Sequence, residues 1–431
     1  MATTFSCLIY SAVALSDSAL TSEKIRLSAA KVEDRVIAWR RDIHEHPELS
    51  NREARTAALV AKHLRILDFD EVRTQVGHTG VIGILKGGKP GPTVALRADM
   101  DALPVTEMVD LPFASKVRTM YRGKEVGVMH ACGHDAHTAI LMGAAEVLAG
   151  MRSQIPGTVR FIFQPAEEGP PEGEEGGASL LIKEGVLAGP NAPEAVFGLH
   201  VAPAPAGTVS VGVGAIMAAS DTFSIKIKGS QTHGAMPWLG VDPITIASQV
   251  VTALQTIPSR QLDLTKSASV ISVGAINGGV RKNIIPSEVS LLGTIRTFDK
   301  QVQKSLHQKM HQVVKGIAEA SGATAEVDIE VGMPVTYNDP ELTRAMAPVL
   351  KNRFPDTYVE GRFTMGAEDF AYYQEKIPGM LFSLGVLPKG TPVDKAAPNH
   401  SPFFRVNEAE LVKGVELMSL LVFSYLEQAN E

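Results

Sequence analysis

Thr158-Val159-Arg160-Phe161-Ile162-Phe163-Gln164-Pro165-Ala166-Glu167-Glu168-Gly169 is an apolar run of strand length that breaks at a proline and ends in two adjacent carboxylates. The same pattern recurs on either side. Residues 80–86 and 93–99 read as strands separated by a turn rich in Gly87, Gly88, Pro90 and Gly91, and the second of them ends in Asp99 and Asp101. Downstream, residues 195–200 form a short strand closed by His200. Helical periodicity runs from near Leu27 to Pro47 and again over 54–67, and a third helix extends to about Gly150 with Asp135 as its cap. Strands alternating with helices predict a parallel or mixed sheet covered by helices on both faces. In such a sheet the chemistry collects where strands end and loops begin.

The pattern changes after Pro203 and Pro205. Strands at 222–228, 268–276, 288–297 and 324–331, with helices at 242–254 and 300–320, follow the order β-α-β-β-α-β of a ferredoxin-like unit. The α/β character resumes near Asp339, so this unit reads as an insertion. The expected fold is therefore α/β: a mixed-sheet catalytic domain with an inserted ferredoxin-like α+β domain. The expected boundaries are an N-terminal extension at 1–27, catalytic residues 28–208 and 333–431, and a small lid or dimerisation domain at 209–332.

Composition narrows the function. With 431 residues, 45% apolar and 20% charged, the chain has material for two compact units. Its net charge of −6 speaks against a nucleic-acid-binding surface. The longest apolar stretches fall short of a membrane span. Phe5 to Leu15 imitates the core of a signal peptide, but no Lys or Arg precedes it. It reads as an extension on a cytoplasmic protein, with export as the alternative. The two cysteines, Cys7 and Cys132, lie in such different settings that no structural disulfide is expected.

The densest chemistry is Met129-His130-Ala131-Cys132-Gly133-His134-Asp135-Ala136-His137. Thiolate and imidazole are good ligands for zinc and neighbouring transition metals. Residues 132 and 134 project to one side of an extended segment, and Gly133 lets the backbone approach closely. An isolated histidine is more often structural than a ligand. Here, however, Asp99, Asp101, Glu167, Glu168, His200 and His400 stand at other predicted strand ends or loops of one sheet. Together they form a metal constellation.

These motifs, with His44-Glu45-His46-Pro47, Thr232-His233-Gly234-Ala235, Asn283-Ile284-Ile285-Pro286, Gly366-Ala367-Glu368-Asp369-Phe370 and Asn399-His400-Ser401, give the chain a resemblance. It resembles the aminoacylase and carboxypeptidase family of two-metal hydrolases. The branch is that of N-acyl-amino-acid amidohydrolases, with hippurate and plant auxin-conjugate hydrolases among its members. The resemblance covers nearly everything after residue 30. It implies two divalent ions (manganese, zinc, cobalt or nickel), bridged by Cys132. Glu168 and His400 complete one site, and His134 and His200 the other. It implies that Glu167 is the general base, although spacing alone does not separate Glu167 from Glu168. It gives Asp101 an orienting role and leaves Asp99 out of the ligand set, with His44 and His46 structural in their turn. It implies that His233 stabilises the oxyanion, from its own chain or from a neighbouring subunit of a homodimer, and that Asn283 and Arg296 hold the substrate's carboxylate. The implied partner is a small-molecule amide, an N-acyl amino acid or related conjugate. A dipeptidase or carboxypeptidase is the alternative, and a non-catalytic metal-binding protein a more distant one. Cys132 as a covalent nucleophile loses to its bridging role, since a bridging thiolate has its lone pairs committed.

Overall fold

The computed structural model describes residues 4–361 and 363–429, with side chains from residue 20 onward. Cys7 therefore lies outside the described side chains. In chain order the main elements begin with α1 (Thr4–Glu45), α2 (Ala54–Ile66), β1 (Glu71–Val76), β2 (Gly80–Lys86) and β3 (Lys89–Asp99). Next come α3 (His134–Gly150), β4 (Pro156–Gln164), β5 (Ala195–Ala202) and β6 (Val209–Val211). β7 (Ala219–Lys228), α4 (Pro243–Thr256), β8 (Ser269–Asn277), β9 (Glu288–Thr297), α5 (Lys300–Ala320) and β10 (Thr324–Met333) follow. The chain closes with α6 (Pro340–Arg353), β11 (Tyr358–Glu360), β12 (Gly379–Gly385) and α7 (Leu411–Gln428).

Two units result. The larger takes the chain up to Val213, then Asn338–Gly361 and everything from Tyr372; the smaller takes Gly214–Tyr337 and Arg362–Ala371. The sequence pattern places the breaks at 208/209 and 332/333 and assigns 362–371 to the catalytic part. The structure moves both breaks five residues on. It joins 362–371 to the small unit through an isolated bridge between Met217 and Thr364 and a hydrogen bond from Ala218 N–H to Gly366 C=O of 2.9 Å.

The larger unit is built on an eight-stranded mixed sheet in the order β1-β2-β4-β3-β5-β12-β6-β11. β3 is parallel to both β4 and β5, and β5 to β12, whereas β1, β2 and β4 pair antiparallel. β2, β3, β4 and β5 are almost wholly buried along their inner stretches, as strands covered on both faces must be. α1, α3 and α7 pack together. A Cβ at Gly143 would lie 2.7 Å from both Val36 and Val415, so the absence of a side chain there sets how closely the three helices approach. α2 is amphipathic and buries Val60 and Leu64, each contributing about 1.5–3 kcal/mol.

Two local readings need correction, and one strand is missing from the sequence reading. α1 begins at Thr4 rather than near Leu27, since the polar residues before Ile25 continue the helix without a breaker. β1 is an exposed edge strand whose burial does not alternate, so it leaves no periodic trace in the sequence. Asp135 is not the cap of α3. Gly133, at φ 101°, holds that position, and Asp135 sits buried in the first turn, bonded to other side chains.

The small unit has a four-stranded antiparallel sheet in the order β8-β9-β7-β10, the ferredoxin-like arrangement. β7 alternates buried and exposed along its length. Its inward Phe223, Ile225 and Ile227 meet Ile246 and Val250 of α4 and Leu306, Met310 and Val314 of α5. Asp242 and Asp299 cap the two helices. Among the described residues no helix is long and apolar enough to cross a membrane.

Candidate active site

β4 lies on one side of β3 and β5 on the other, so the chain switches direction across β3. A crevice opens beyond the carboxyl ends of strands at such a point. Asp99 ends β3, Glu167 and Glu168 follow β4, and His200 lies near the end of β5.

Asp101 organises this region. It is buried and accepts four hydrogen bonds: from Ser50 Oγ at 2.8 Å and Glu168 N–H at 3.0 Å on Oδ2, and from Glu167 N–H at 3.1 Å and His134 Nδ1 at 3.2 Å on Oδ1. One carboxylate thus clamps the backbone of both glutamates and orients an imidazole. Ala166, just before them, has φ 54°, a sparsely populated conformation for a residue with a Cβ. Glu53 holds it there: its Oε1 accepts Ala166 N–H at 2.9 Å and Asn51 N–H at 3.0 Å, and its Oε2 accepts from the Thr79 hydroxyl. Burial and the neighbouring Asp101 carboxylate push Glu53 up to about 8.

The imidazoles are held in defined tautomers. His134 donates Nδ1–H to Asp101, and its buried Nε2 has no hydrogen-bond partner, lying 3.7 Å from Glu167 Oε2. His200 donates Nδ1–H to the Val201 carbonyl at 2.7 Å, which turns the Nε2 lone pair toward Cys132 Sγ at 3.5 Å. Burial pushes His200 down to about 3, so it is neutral at physiological pH. Gly133 places Cys132 and His134 against β5; a Cβ there would lie 2.3 Å from Val201 Cγ2. Asn399 Nδ2 donates to the Cys132 carbonyl at 2.8 Å, and His400 N–H to the Ala131 carbonyl at 2.8 Å, tying the C-terminal loop to the same segment. His400 has φ 69° and brings Nε2 to 3.1 Å from Glu168 Oε1.

Among the groups of potential ligands in the described residues, two share Cys132. Cys132, His134 and His200 each bring one ligand atom within 4.8 Å of the others, and so do Cys132, Glu168 and His400. Cys132 belongs to both. A third set, Asp99, His134 and His137, satisfies the same distance but is already committed. Asp99 accepts from Arg97 Nη1 and His137 Nδ1, both at 2.6 Å, and His137 Nε2 accepts Val201 N–H at 2.8 Å. His137 is thus a structural tie between β3, α3 and β5.

The residues present fit a metal pair. Burial pushes the Cys132 thiol up to about 12, so a thiolate there needs an adjacent positive charge. His134 Nε2 is a buried nitrogen without a hydrogen-bond partner, and two imidazoles donate through Nδ1 and keep Nε2 for a cation, the usual arrangement around a bound metal. Thiolate, imidazole and carboxylate together suit zinc, manganese, cobalt or nickel.

Behind the site, His44 donates to Asp135 at 2.8 Å and to Glu107 at 3.1 Å, and Arg40 Nε lies 2.8 Å from Asp135. This buried network pins α1 to the first turn of α3. His46 is exposed and bonds only its own helix, to the Asp42 carbonyl at 2.9 Å. Sequence reasoning missed Ser50 and Glu53 as site supports, because both sit at a helix entrance among ordinary polar residues. It gives Asn399 no role.

In the small unit, His233 and Asn283 come together. Short strands Thr232–His233 and Ile284–Ile285 pair, and Gly234 N–H donates to the Asn283 carbonyl at 2.9 Å. His233 is exposed, and its Nδ1 accepts Ala235 N–H at 3.0 Å, so in the neutral ring Nε2 carries the hydrogen. Arg296 is elsewhere. It lies near the far end of β9, opposite Ser220 and Val270, roughly 25 Å along the strand from the Asn283 end at about 3.3 Å per residue.

An α/β sheet carrying a cysteine shared between two imidazole and carboxylate groups at its switch point is the frame of a metal-dependent hydrolase. The sequence profile of the peptidase family M20/M25/M40 matches residues 95–424, and the chain belongs to that family and is a hydrolase of amide bonds. It is 42% identical to thermostable carboxypeptidase 2 of Saccharolobus solfataricus over 94% of this chain and 98% of that one. To the N-acetylcysteine deacetylase of Bacillus subtilis it is 39% identical, over 91% of this chain and 97% of the relative. Its fold superposes on the Bacillus subtilis YXEP protein, a dinuclear metal-binding peptidase of family M20, with a TM-score of 0.78 at 37% identity, covering 92% of this chain and 99% of that one.

Proposed function

We propose that the protein hydrolyses the amide bond of N-acyl amino acids or related conjugates, with two divalent cations that Cys132, His134, Glu168, His200 and His400 would hold. The observation that carries this reading is Cys132 standing in both ligand groups with Glu167 alongside. His134 and His200 would hold one cation, Glu168 and His400 the other, and Cys132 would serve both. Cations bound there would supply positive charge to polarise the amide carbonyl and acidify a water. Glu167 takes the proton from that water and delivers it to the departing amine. Asp101 keeps Glu167, Glu168 and His134 in register through its four hydrogen bonds.

His233, with Nε2–H available to donate, stabilises the oxyanion, while Asn283 and Arg296 recognise the substrate's carboxylate; Arg suits that task through bidentate geometry. Asn283 precedes the start of β9 and Arg296 lies near its far end, so one small carboxylate touched by both needs two copies of the chain. This supports a homodimer with composite sites. A free, buried Cys132 suits a reducing compartment, in keeping with a cytoplasmic enzyme.

The test compares metal-loaded protein on acetyl, benzoyl and indole-acetyl amino acids and on matched dipeptides, before and after chelation. Release of amino acid should be faster from the acyl conjugates and should vanish with the metal. Faster cleavage of the dipeptides would make the enzyme a peptidase, the activity named for the Saccharolobus relative. Cys132 offers a second measurement. Its thiol should be shielded from alkylation in the metal-loaded protein and labelled once metal is stripped, and Cys132→Ser should bind metal poorly. Equal labelling of both forms would remove the bridging role.

A further inference from the structure

We infer that Glu53 is a positioning residue for the reaction: with Ser50, Asn51 and Arg52 it closes the neck of the loop that carries Glu167 and Glu168, and so sets where the two carboxylates stand. This rests on the hydrolase reading above and adds a residue to it. The loop runs from Ala166 to Gly176, and its two ends meet: a Cβ at Gly176 would lie 3.1 Å from the Ala166 Cβ and 3.0 Å from Asn51 Oδ1. Loops of this length whose ends lie close together are compact and frequently functional.

Four consecutive residues before α2 grip this neck. Ser50 Oγ donates to Asp101 Oδ2 at 2.8 Å. Asn51, itself at φ 59°, donates Nδ2–H to Glu174 Oε2 at 3.0 Å and to the Glu175 carbonyl at 3.1 Å. Arg52 reaches the Glu174 carboxylate with Nη1 at 3.1 Å and Nη2 at 2.5 Å. Those contacts hold the far end of the loop, where His78 Nε2–H also donates to the Glu175 carbonyl at 3.0 Å. Glu53 holds the near end, accepting Ala166 N–H at 2.9 Å on one oxygen while the other accepts from the Thr79 hydroxyl.

Three successive backbone N–H groups are thereby taken by two buried carboxylates: that of Ala166 by Glu53, and those of Glu167 and Glu168 by Asp101. Asp101 collects its two because the chain turns sharply at Ala166, whose φ of 54° is costly for a residue with a Cβ. Glu53 selects that turn. Pro165 has no N–H to anchor it, and the Ala166 carbonyl accepts only a long bond from Gly169 N–H at 3.4 Å. Packing does not ask for a carboxyl here: Glu53 is buried beside Asp101, and burial and that neighbouring charge push it up to about 8. Carboxyls shifted in this way concentrate at functional sites. Relaxation of Ala166 to negative φ would turn the Glu167 and Glu168 N–H groups away from Asp101 and displace the carboxylate that takes the proton. A misplacement of about 1 Å at a reacting group can cost on the order of 100-fold in rate.

The experiment uses the full chain loaded with metal and compares Glu53→Ala, Glu53→Gln and the double variant of Glu53→Ala with Ala166→Gly. Each is assayed well below its melting temperature, where a merely structural support would leave the kcat of the folded enzyme intact. Glu53→Ala should lose on the order of 10–100-fold in kcat with KM little changed. Glutamine keeps an oxygen for the Ala166 and Asn51 N–H groups and offers an amide N–H to Thr79, so Glu53→Gln should lose far less. Glycine takes positive φ without strain, so adding Ala166→Gly should restore most of what Glu53→Ala removes. Amide hydrogen exchange of the same proteins gives a second readout: the Glu167 and Glu168 N–H groups should lose protection in Glu53→Ala and regain it in the double variant. Where Glu53→Ala does not fold, Glu53→Asp, which withdraws the carboxylate by one methylene, takes its place in the comparison. Unchanged kcat in the folded Glu53→Ala or Glu53→Asp protein, or a double variant no better than the single one, would overturn the inference. Loss and recovery of protection in a protein that hydrolyses no amide would instead overturn the proposed reaction and keep the role of Glu53 in placing the two glutamates.

Discussion

Glu167→Gln is expected to keep its full complement of metal and to lose on the order of 10²–10⁴ in kcat, the usual contribution of a general base. The substitution keeps the shape of the side chain and the backbone N–H that Asp101 holds at 3.1 Å, so the loop around it should not move. Only the capacity to carry a proton disappears. Metal analysis of the purified variant beside its turnover on an acyl amino acid separates the two roles that adjacent carboxylates can exchange. Glu168 lies within the group formed with Cys132 and His400, and Glu168→Gln should lose metal. If Glu167→Gln lost metal while Glu168→Gln kept it, base and ligand would have to be exchanged.

His233→Ala is expected to retain fold and metal but lose about 10²–10³ in kcat, with little change in substrate affinity, as removal of a single oxyanion donor does. The exposed ring makes no packing contribution whose loss would mimic this effect, and its Nδ1 is engaged by Ala235 N–H, which leaves Nε2–H for an external acceptor. Mixing His233→Ala with Glu167→Gln tests the shared-site version. A dimer that pairs a whole large unit with a whole small unit across the interface should regain part of the activity. Full activity in His233→Ala would end the proposal. A dead variant without rescue in the mixture would confine the site to one chain.

Much of this was legible in the sequence because it depends on local periodicity. β9 and α5 fall at the residues that their patterns predict, and the β-α-β-β-α-β order of the small unit follows from counting strands and helices. The residue types proposed to hold metal are legible for a related reason. Cys132 and His400 lie in loops, Glu168 just past β4, His134 at the start of α3 and His200 near the end of β5, where clustered side chains of these types are seldom used for packing.

Other features depend on partners far away in the chain, and only the folded structure decides them. No pattern around Glu53 or Ser50 announces that one supports the strained Ala166 and the other bonds Asp101, since those contacts span 113 and 51 residues. The reading of Asp135 as a cap failed for the same reason: its buried partners are Arg40 and His44 on α1, not the backbone of its own helix. Which histidine keeps a lone pair for a cation is also settled by tertiary contacts, with His137 consumed by Asp99 and Val201 while His134 and His200 keep Nε2 open. Side-chain type and period are properties of the chain alone, so the sequence by itself determined the elements and the candidate chemistry. Tautomer, burial and the distance between groups arise only when strands from distant segments lie side by side, and those the tertiary structure decided.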